Sequence, residues 1–202
     1  LPGVFGLSAP TVVGTATARS VATTNFAQRM KRLGYVSATT AGSLTEARIA
    51  AAQYTIGNGT DYGFTLIVRF VPSNGAAVSG ERFFIGMTTT TTAATNVEPS
   101  TLTNSIGLAQ LSTSTNCQIV YGGSVAQTPI DLGTGFPCDT RSTEAYELAL
   151  FAPPNSNNTV YYQVTRLSTG ATTSHCYSVR PPTINSGSCQ FGCRQQTPLQ
   201  LV

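Results

Sequence analysis

The sequence predicts an all-β protein: an antiparallel β-sandwich over residues 43–202, preceded by an extended N-terminal arm over residues 1–42. Three observations carry that reading. Apolar and polar residues alternate with period two in several short runs, the signature of strands with one buried face. Gly, Pro, Asn and Ser clusters punctuate those runs, as turns require. Only 9% of residues are charged, against roughly 25% in ordinary globular chains, and Thr, Ser, Ala, Gly and Asn take their place.

The arm is rich in Gly, Thr, Ser and Ala and lacks a helical period. Between Thr11 and Thr24 its β-branched residues (Thr11, Val12, Val13, Thr15, Thr17, Val21, Thr23) favour an extended path. It offers little apolar surface for a core of its own, so it is expected to lie along another chain or under the main domain. Residues 43–54 can be read two ways. Ser43 and Glu46 fit a capping box, but the segment runs into a Gly-rich stretch, and the reading leans to extended structure.

From Phe64 the strand signal is clear. Phe64, Leu66, Val68 and Phe70 alternate with Thr65, Ile67, Arg69 and Val71, until Pro72, Asn74 and Gly75 break the run. Arg82–Met87 is a second strand. Ser105–Leu111 and Cys117–Tyr121 form a hairpin around the loop Ser112–Asn116. Ala145–Phe151 alternates again, with Tyr146, Leu148 and Leu150 on one face. Pro153, Pro154 and the run NSNN (155–158) reverse the chain into Val160–Leu167. Ser168, Thr169 and Gly170 then turn it into Thr172–Val179. Short strands with frequent turns imply a sandwich or barrel, of which the sandwich is preferred. No repeat of 20–50 residues points to a solenoid or propeller.

Charge and cysteines narrow the function classes. The net charge is +3, and the one basic cluster, Arg29, Lys31 and Arg32, is far smaller than the stripe that nucleic-acid binders present. No nucleic-acid partner is expected. Membrane insertion is not expected either, because no apolar run approaches the roughly 20 residues that span a bilayer. Leu1 in place of Met, and apolar Leu201 and Val202 at the other end, read as a piece of a larger subunit. Cys117, Cys138, Cys176, Cys189 and Cys193 are odd in number and cannot all pair within one chain. One local disulfide or free thiols are both compatible. A zinc site built on Cys189 and Cys193 would need Cys176 and His175, which as neighbours on an extended stretch point to opposite faces. No metal and no cofactor is expected.

Raw material for catalysis is sparse. His175 is the one histidine, on an expected strand, where a surface or edge role outweighs that of a general base. Glu144 and Glu147 are spaced i, i+3, which in a strand sends them to opposite faces and not across one sugar. Asp131 and Asp139 flank a Gly-Thr-Gly-Phe-Pro turn and read as turn chemistry. NGTD (58–61) lacks the acidic density of a calcium loop. No nucleophile elbow or phosphate loop is present, so the sequence predicts a non-enzyme. Carbohydrate binding has better material. Tyr121 and Tyr161, with Asn155, Asn157 and Asn158, are aromatic and amide side chains on or near loops, the types that stack on and hydrogen-bond sugars. Tyr162 follows Tyr161, so one of the two is expected to face the core.

Several long segments carry a resemblance. RLGYVSATTAGSLTEARIAAAQYTIGNG (32–59), NVEPSTLTNSIGLAQ (96–110) and YGGSVAQTPIDLGTGFPCDTRSTEAYELALFAPPNSNNTVYYQVTRL (121–167), with GTATARSVATTNFAQRMKRLGYVS (14–37) before them, resemble stretches of tail-fibre and appendage-type virion structural proteins of tailed bacteriophages. The resemblance implies a lectin-like or jelly-roll-like sandwich, a homotrimer, contacts with other virion proteins, and a place in the virion. It brings no catalytic residue. After Leu167 the chain departs from the family pattern: it has no Trp, and HCYSVRPPTINSGSCQFGCRQQTPLQLV (175–202) holds three Cys and two adjacent Pro. Two functions are expected in that frame. The first is a fibre or appendage module that attaches to host-surface polysaccharide. The alternative is a capsid or tail cement or decoration protein that binds no receptor.

Overall fold

The computed structural model describes residues 11–25, 28–38, 40–52, 63–72, 79–139, 143–154 and 159–178. Among these the chain forms β-strands, a short 3-10 turn at Pro99–Thr101 and no longer helix. The protein is an all-β sandwich of antiparallel sheets.

The first sheet has the order β12-β11-β10-β5, from β5 (Phe64–Phe70), β10 (Tyr146–Ala152), β11 (Thr159–Arg166) and β12 (Ala171–Ser178). The second has the order β6-β7-β8-β9, from β6 (Phe83–Thr88), β7 (Ser105–Gln110), β8 (Gln118–Gly122) and β9 (Ile130–Asp131). Every pairing in both is antiparallel. The period-two pattern has its expected physical consequence. Tyr146, Leu148, Leu150 and Ala152 of β10 are buried, as are Val160, Tyr162 and Val164 of β11, and they meet Ile106, Leu108 and Ile119 of the second sheet in one core. Phe70 bridges the sheets, edge-on to Phe83 at 5.6 Å between ring centroids and tilted against Tyr146 at 5.9 Å.

A disulfide between Cys117 and Cys138 lies in that core, both residues being essentially inaccessible. Backbone bonds set the two cysteines side by side. Cys117 N–H donates to Phe136 O at 2.8 Å, and Cys138 N–H to Thr115 O at 2.8 Å. The bridge closes the loop that carries β9 and its turn. There Asp131 accepts from Gly133 N–H at 2.7 Å and from the Asn116 amide, which is the turn chemistry its sequence setting implies.

The outer faces of the two sheets differ. On the second sheet the 3-10 turn packs against β8, Pro99 is buried, and outward-facing Ala109 and Val120 are wholly inaccessible. The segment is pinned at both ends of its path. Glu98 accepts from Ser112 N–H at 2.9 Å and pairs with Arg82, which also donates to Asn96. Gly86 and Gly107 face each other across β6 and β7 on this side, and a Cβ on Gly107 would lie 2.8 Å from both Gly86 Cα and the Phe84 ring. Small residues are therefore required where the Phe84 ring crosses the sheet. On the first sheet no described segment covers the outer face, and Ile67 and Phe151 stand exposed there.

The arm region forms two small antiparallel pairs: β2 (Thr15–Arg19) with β3 (Arg32–Val36), and β1 (Thr11–Val13) with β4 (Glu46–Arg48). β4 is extended, as preferred for that segment. Ser43 Oγ donates to Ala38 O in place of capping a helix. Glu46 and Arg48 pair with each other and reach the loop after β6, where Glu46 accepts from Ala94 N–H at 3.2 Å and Arg48 donates to Thr91 O at 3.3 Å. The β1–β4 pairing joins residues from both sides of position 42.

Candidate functional site

The outer face of the first sheet is an ordered surface, because strand register fixes which side chains share it. Three rows cross its strands. Arg69, Glu147, Thr165 and Thr172 make the first; Ile67, Ala149, Gln163 and Ser174 the second; Thr65, Phe151, Tyr161 and the Cys176 position the third. Each row has its own chemistry. In the first, Arg69 Nε donates to Glu147 Oε2 at 2.6 Å and the Thr165 and Thr172 hydroxyls lie 3.4 Å apart. In the third, the rings of Phe151 and Tyr161 stack with centroids 6.3 Å apart and planes inclined at 29°. The middle row places exposed Ile67 beside Ala149 and the Gln163 amide. The face thus grades from an ion pair with hydroxyls to an aromatic platform, next to the β10–β11 connection.

Such a face can stack and hydrogen-bond. An aromatic platform beside amide and hydroxyl groups matches a pyranose ring, which presents an apolar C–H face and a rim of hydroxyls. The Glu147 carboxylate is already held by Arg69.

The expected glycan residues are not all brought together. Tyr161 lies on this outer face, while Tyr121, on β8 in the other sheet, packs against the core between the sheets. The two tyrosines share no surface. Asn155, Asn157 and Asn158 fall between β10 and β11 in sequence and lie outside the described residues. Tyr162 faces the core, as one of the adjacent tyrosines must, with its ring stacked on His175 at 6.1 Å. Phe151 and Ile67 were not singled out by sequence reasoning. Their signal was available: both occupy the polar phase of their strands, where an aromatic or large aliphatic residue needs a reason.

Of the carboxylates weighed for catalysis, Glu144 and Glu147 occupy ion pairs. Arg166 clasps Glu144 with two bonds, Nε to Oε2 at 2.7 Å and Nη2 to Oε1 at 2.5 Å. Its remaining Nη1 donates to Gly135 O at 3.0 Å, and Ser168 Oγ also donates to Glu144. The Arg166 hydrogen bonds hold the Glu144 carboxyl below its ordinary range, against the burial that would raise it, and Ser168 adds to the lowering. The same network approaches Tyr146, whose hydroxyl donates to Pro137 O and whose burial pushes its pKa above the usual range. This cluster ties the β10–β11 edge to the turn before Cys138. Among the described residues no group of three or more His, Cys, Asp or Glu is placed to hold a metal, and no helix is long and apolar enough to cross a membrane. Cys189, Cys193 and the NGTD run lie outside the described residues.

No family model matches the chain, and no curated protein matches it. Among solved structures, the chain is similar to the enzymatically active domain of tailspike protein 2 of bacteriophage CBA120, with a TM-score of 0.49 and 18% identity. The match covers 85% of this chain and 23% of that one. A likeness at that level assigns neither family nor activity.

Proposed function

We propose that this chain is a structural module of a tailed-phage virion appendage, and that the outer face of its first sheet contributes to attachment to host-surface glycans. The observation that carries the reading is the stacked Phe151–Tyr161 pair on a sheet face that no described segment covers, flanked by Gln163, Thr165 and Thr172. The segments similar to tail-fibre and appendage proteins support the virion setting, and the charge-poor composition suits a surface that meets variable salt. The other sheet of the same sandwich hides its outer face under its own chain. An aromatic pair on the outer face of the first sheet, with Phe151 exposed and Tyr161 half-buried, therefore has a use outside the fold.

Stacking of a sugar ring on Phe151 and Tyr161, with hydrogen bonds from neighbouring polar side chains, gives weak binding at one site. A homotrimer would present three such sites on one particle arm, and avidity would then raise the overall affinity by orders of magnitude without new contacts. No catalytic step is part of this reading.

A glycan array probed with the purified chain tests it. Binding to bacterial surface polysaccharides is expected, with loss on Tyr161→Ala or Phe151→Ala and unchanged melting temperature. Asn157→Ala reports whether the β10–β11 connection takes part. The second reading, a cement or decoration protein, is favoured by one feature: Ile67 is 62% exposed in the centre of the face, and a large aliphatic side chain is better matched by another protein than by a sugar. Ile67→Ser leaves glycan binding intact in the first reading. In the second it abolishes incorporation into particles.

A further inference from the structure

Among the described residues each of the two large sheets ends on two edge strands, and these differ in length and chemistry. β9 has two residues, β6 is interrupted by Gly86, and β12 opens with the small and polar run Ala171, Thr172, Thr173, Ser174 and His175. β5 is different. Its seven residues, FTLIVRF, contain no Gly or Pro and pair with β10 in an unbroken register. No described strand pairs with its other side. Alternate residues of an edge strand turn N–H and C=O away from the sheet, where another strand can bond them.

The core is thinly covered along the same side. Leu66, Val68 and Phe70 of β5 pack on it yet stay half-buried, as do Phe83 and Met87 of β6. On the outer face Ile67 is exposed between exposed Thr65 and Arg69. Proteins blunt such an edge with Pro, a bulge or a charge. β5 has neither of the first two, and its one charge, Arg69, is drawn back onto Glu147 of β10 at 2.6 Å.

The residue order says which strand fits. Two copies of FTLIVRF laid antiparallel about Ile67 pair all seven residues: Phe64 with Phe70, Thr65 with Arg69, Leu66 with Val68, and Ile67 with its counterpart. Every core-side residue then meets an apolar core-side residue, and neither Arg69 opposes the other. A slip of two residues leaves strand ends unpaired and, in one direction, sets Ile67 against Arg69. A slip of one opposes core-side to outer side chains.

We propose that the β5 edge pairs with the β5 edge of a second copy in this register, joining two four-stranded sheets into one across a two-fold axis. The contact is self-complementary, as a two-fold requires. Leu66, Val68 and Phe70 gain apolar neighbours, Ile67 lies against its counterpart, and the outer faces of both sheets share one side. The internal symmetry of the segment favours a copy of itself over a foreign strand. The proposal is independent of the glycan reading, since it uses the strand edge. A pair also differs in mass from the homotrimer that the resemblance implies.

Cross-linking of cysteine variants tests the register. Ile67→Cys is expected to give a disulfide-linked dimer on mild oxidation, because directly opposed positions lie about 4.5–5.5 Å apart at Cβ. Thr65→Cys and Arg69→Cys are each expected to give none, because each falls about 14 Å from its own counterpart along the strand. Mixing those two variants restores the link. Peptide mapping identifies the linked residues and sets aside links through the native cysteines. One strand is a small contact, so the sedimenting mass is expected to rise from one copy to two with concentration, while exchange of the Phe64–Phe70 amides slows. Ile67→Lys opposes like charges across the axis and is expected to weaken pairing at least about tenfold, with the melting temperature of the monomer unchanged. Linking of Thr65→Cys or Arg69→Cys alone as readily as Ile67→Cys overturns the proposal. So does a monomer at every concentration, or a trimer that survives Ile67→Lys. Slow exchange of these amides in the monomer also overturns it, because the chain itself would then cover the edge.

Discussion

Reduction of the Cys117–Cys138 disulfide is expected to destabilise the sandwich without dismantling it. The bridge closes a loop with a sequence separation of 21 residues, and chain-entropy arguments assign about 3 kcal/mol to a loop of that size. For a domain of this length each kcal/mol shifts the melting temperature by about 2–4 °C, so reduction should lower it by roughly 6–12 °C. The reduced chain is still expected to fold. The backbone bonds of Cys117 to Phe136 and of Cys138 to Thr115, and the bond from Leu132 N–H to Cys117 O at 3.1 Å, hold the loop closed without the sulfur link. Both cysteines are inaccessible in the core, so reductant should act only through opening of the loop, and much faster in mild denaturant. The assay is thermal unfolding by circular dichroism of oxidised and reduced protein, with alkylation and peptide mapping to count the bonded thiols. Cys117→Ser/Cys138→Ser serves as the permanently reduced form. Equal melting temperatures, or mapping that pairs Cys117 with Cys176, Cys189 or Cys193, would refute the reasoning.

Two further outcomes follow from the packing. Glu144 has a lowered folded-state pKa, so its stabilisation is fully present above its unfolded value near 4.5 and is lost as pH falls through the folded value. Arg166→Ala should therefore cost roughly 2–3 kcal/mol at neutral pH by stranding a buried, hydrogen-bonded carboxylate. The deficit should narrow as pH falls below the usual carboxylate range; urea unfolding of both proteins across that range measures it, and a pH-independent difference would count against the pair. Gly107→Ala places a methyl group against the Gly86 backbone and the Phe84 ring and is expected to cost more than about 2 kcal/mol. Gly135→Ala, with open space around it, should shift the urea midpoint by much less.

How much was legible in the sequence depended on which faces of each strand are buried. β5 and β10 have one buried and one outer face, so Phe64–Phe70 and Tyr146–Ala152 announce themselves by alternation. β7 is buried on both faces, because the turn at Pro99–Thr101 lies over its sheet, and alternation there is replaced by a change in size: Ile106 and Leu108 inward, Ser105, Gly107 and Ala109 outward. Glu144 and Glu147 were read as structural from their spacing, but their partners, Arg166 and Arg69, are distant in sequence and come from register alone. The same limit applied to the site. Tyr161 was legible as a residue type, whereas its neighbour Phe151 follows only from the β10–β11 pairing. Tyr121 has the same chemistry on a different sheet and packs inward. The disulfide partner of Cys117 was likewise left open by an odd cysteine count. It is decided by the bonds that bring Thr115–Cys117 alongside Phe136–Cys138.

The most direct test of the attachment reading is binding of the fluorescently labelled chain to intact bacterial cells, wild type against Phe151→Ala/Tyr161→Ala. The account predicts that the wild-type chain decorates cells whose surface polysaccharide it recognises, and that the folded double variant does not. Equal decoration by both proteins, or none by the wild type on any host that the particle infects, would contradict it.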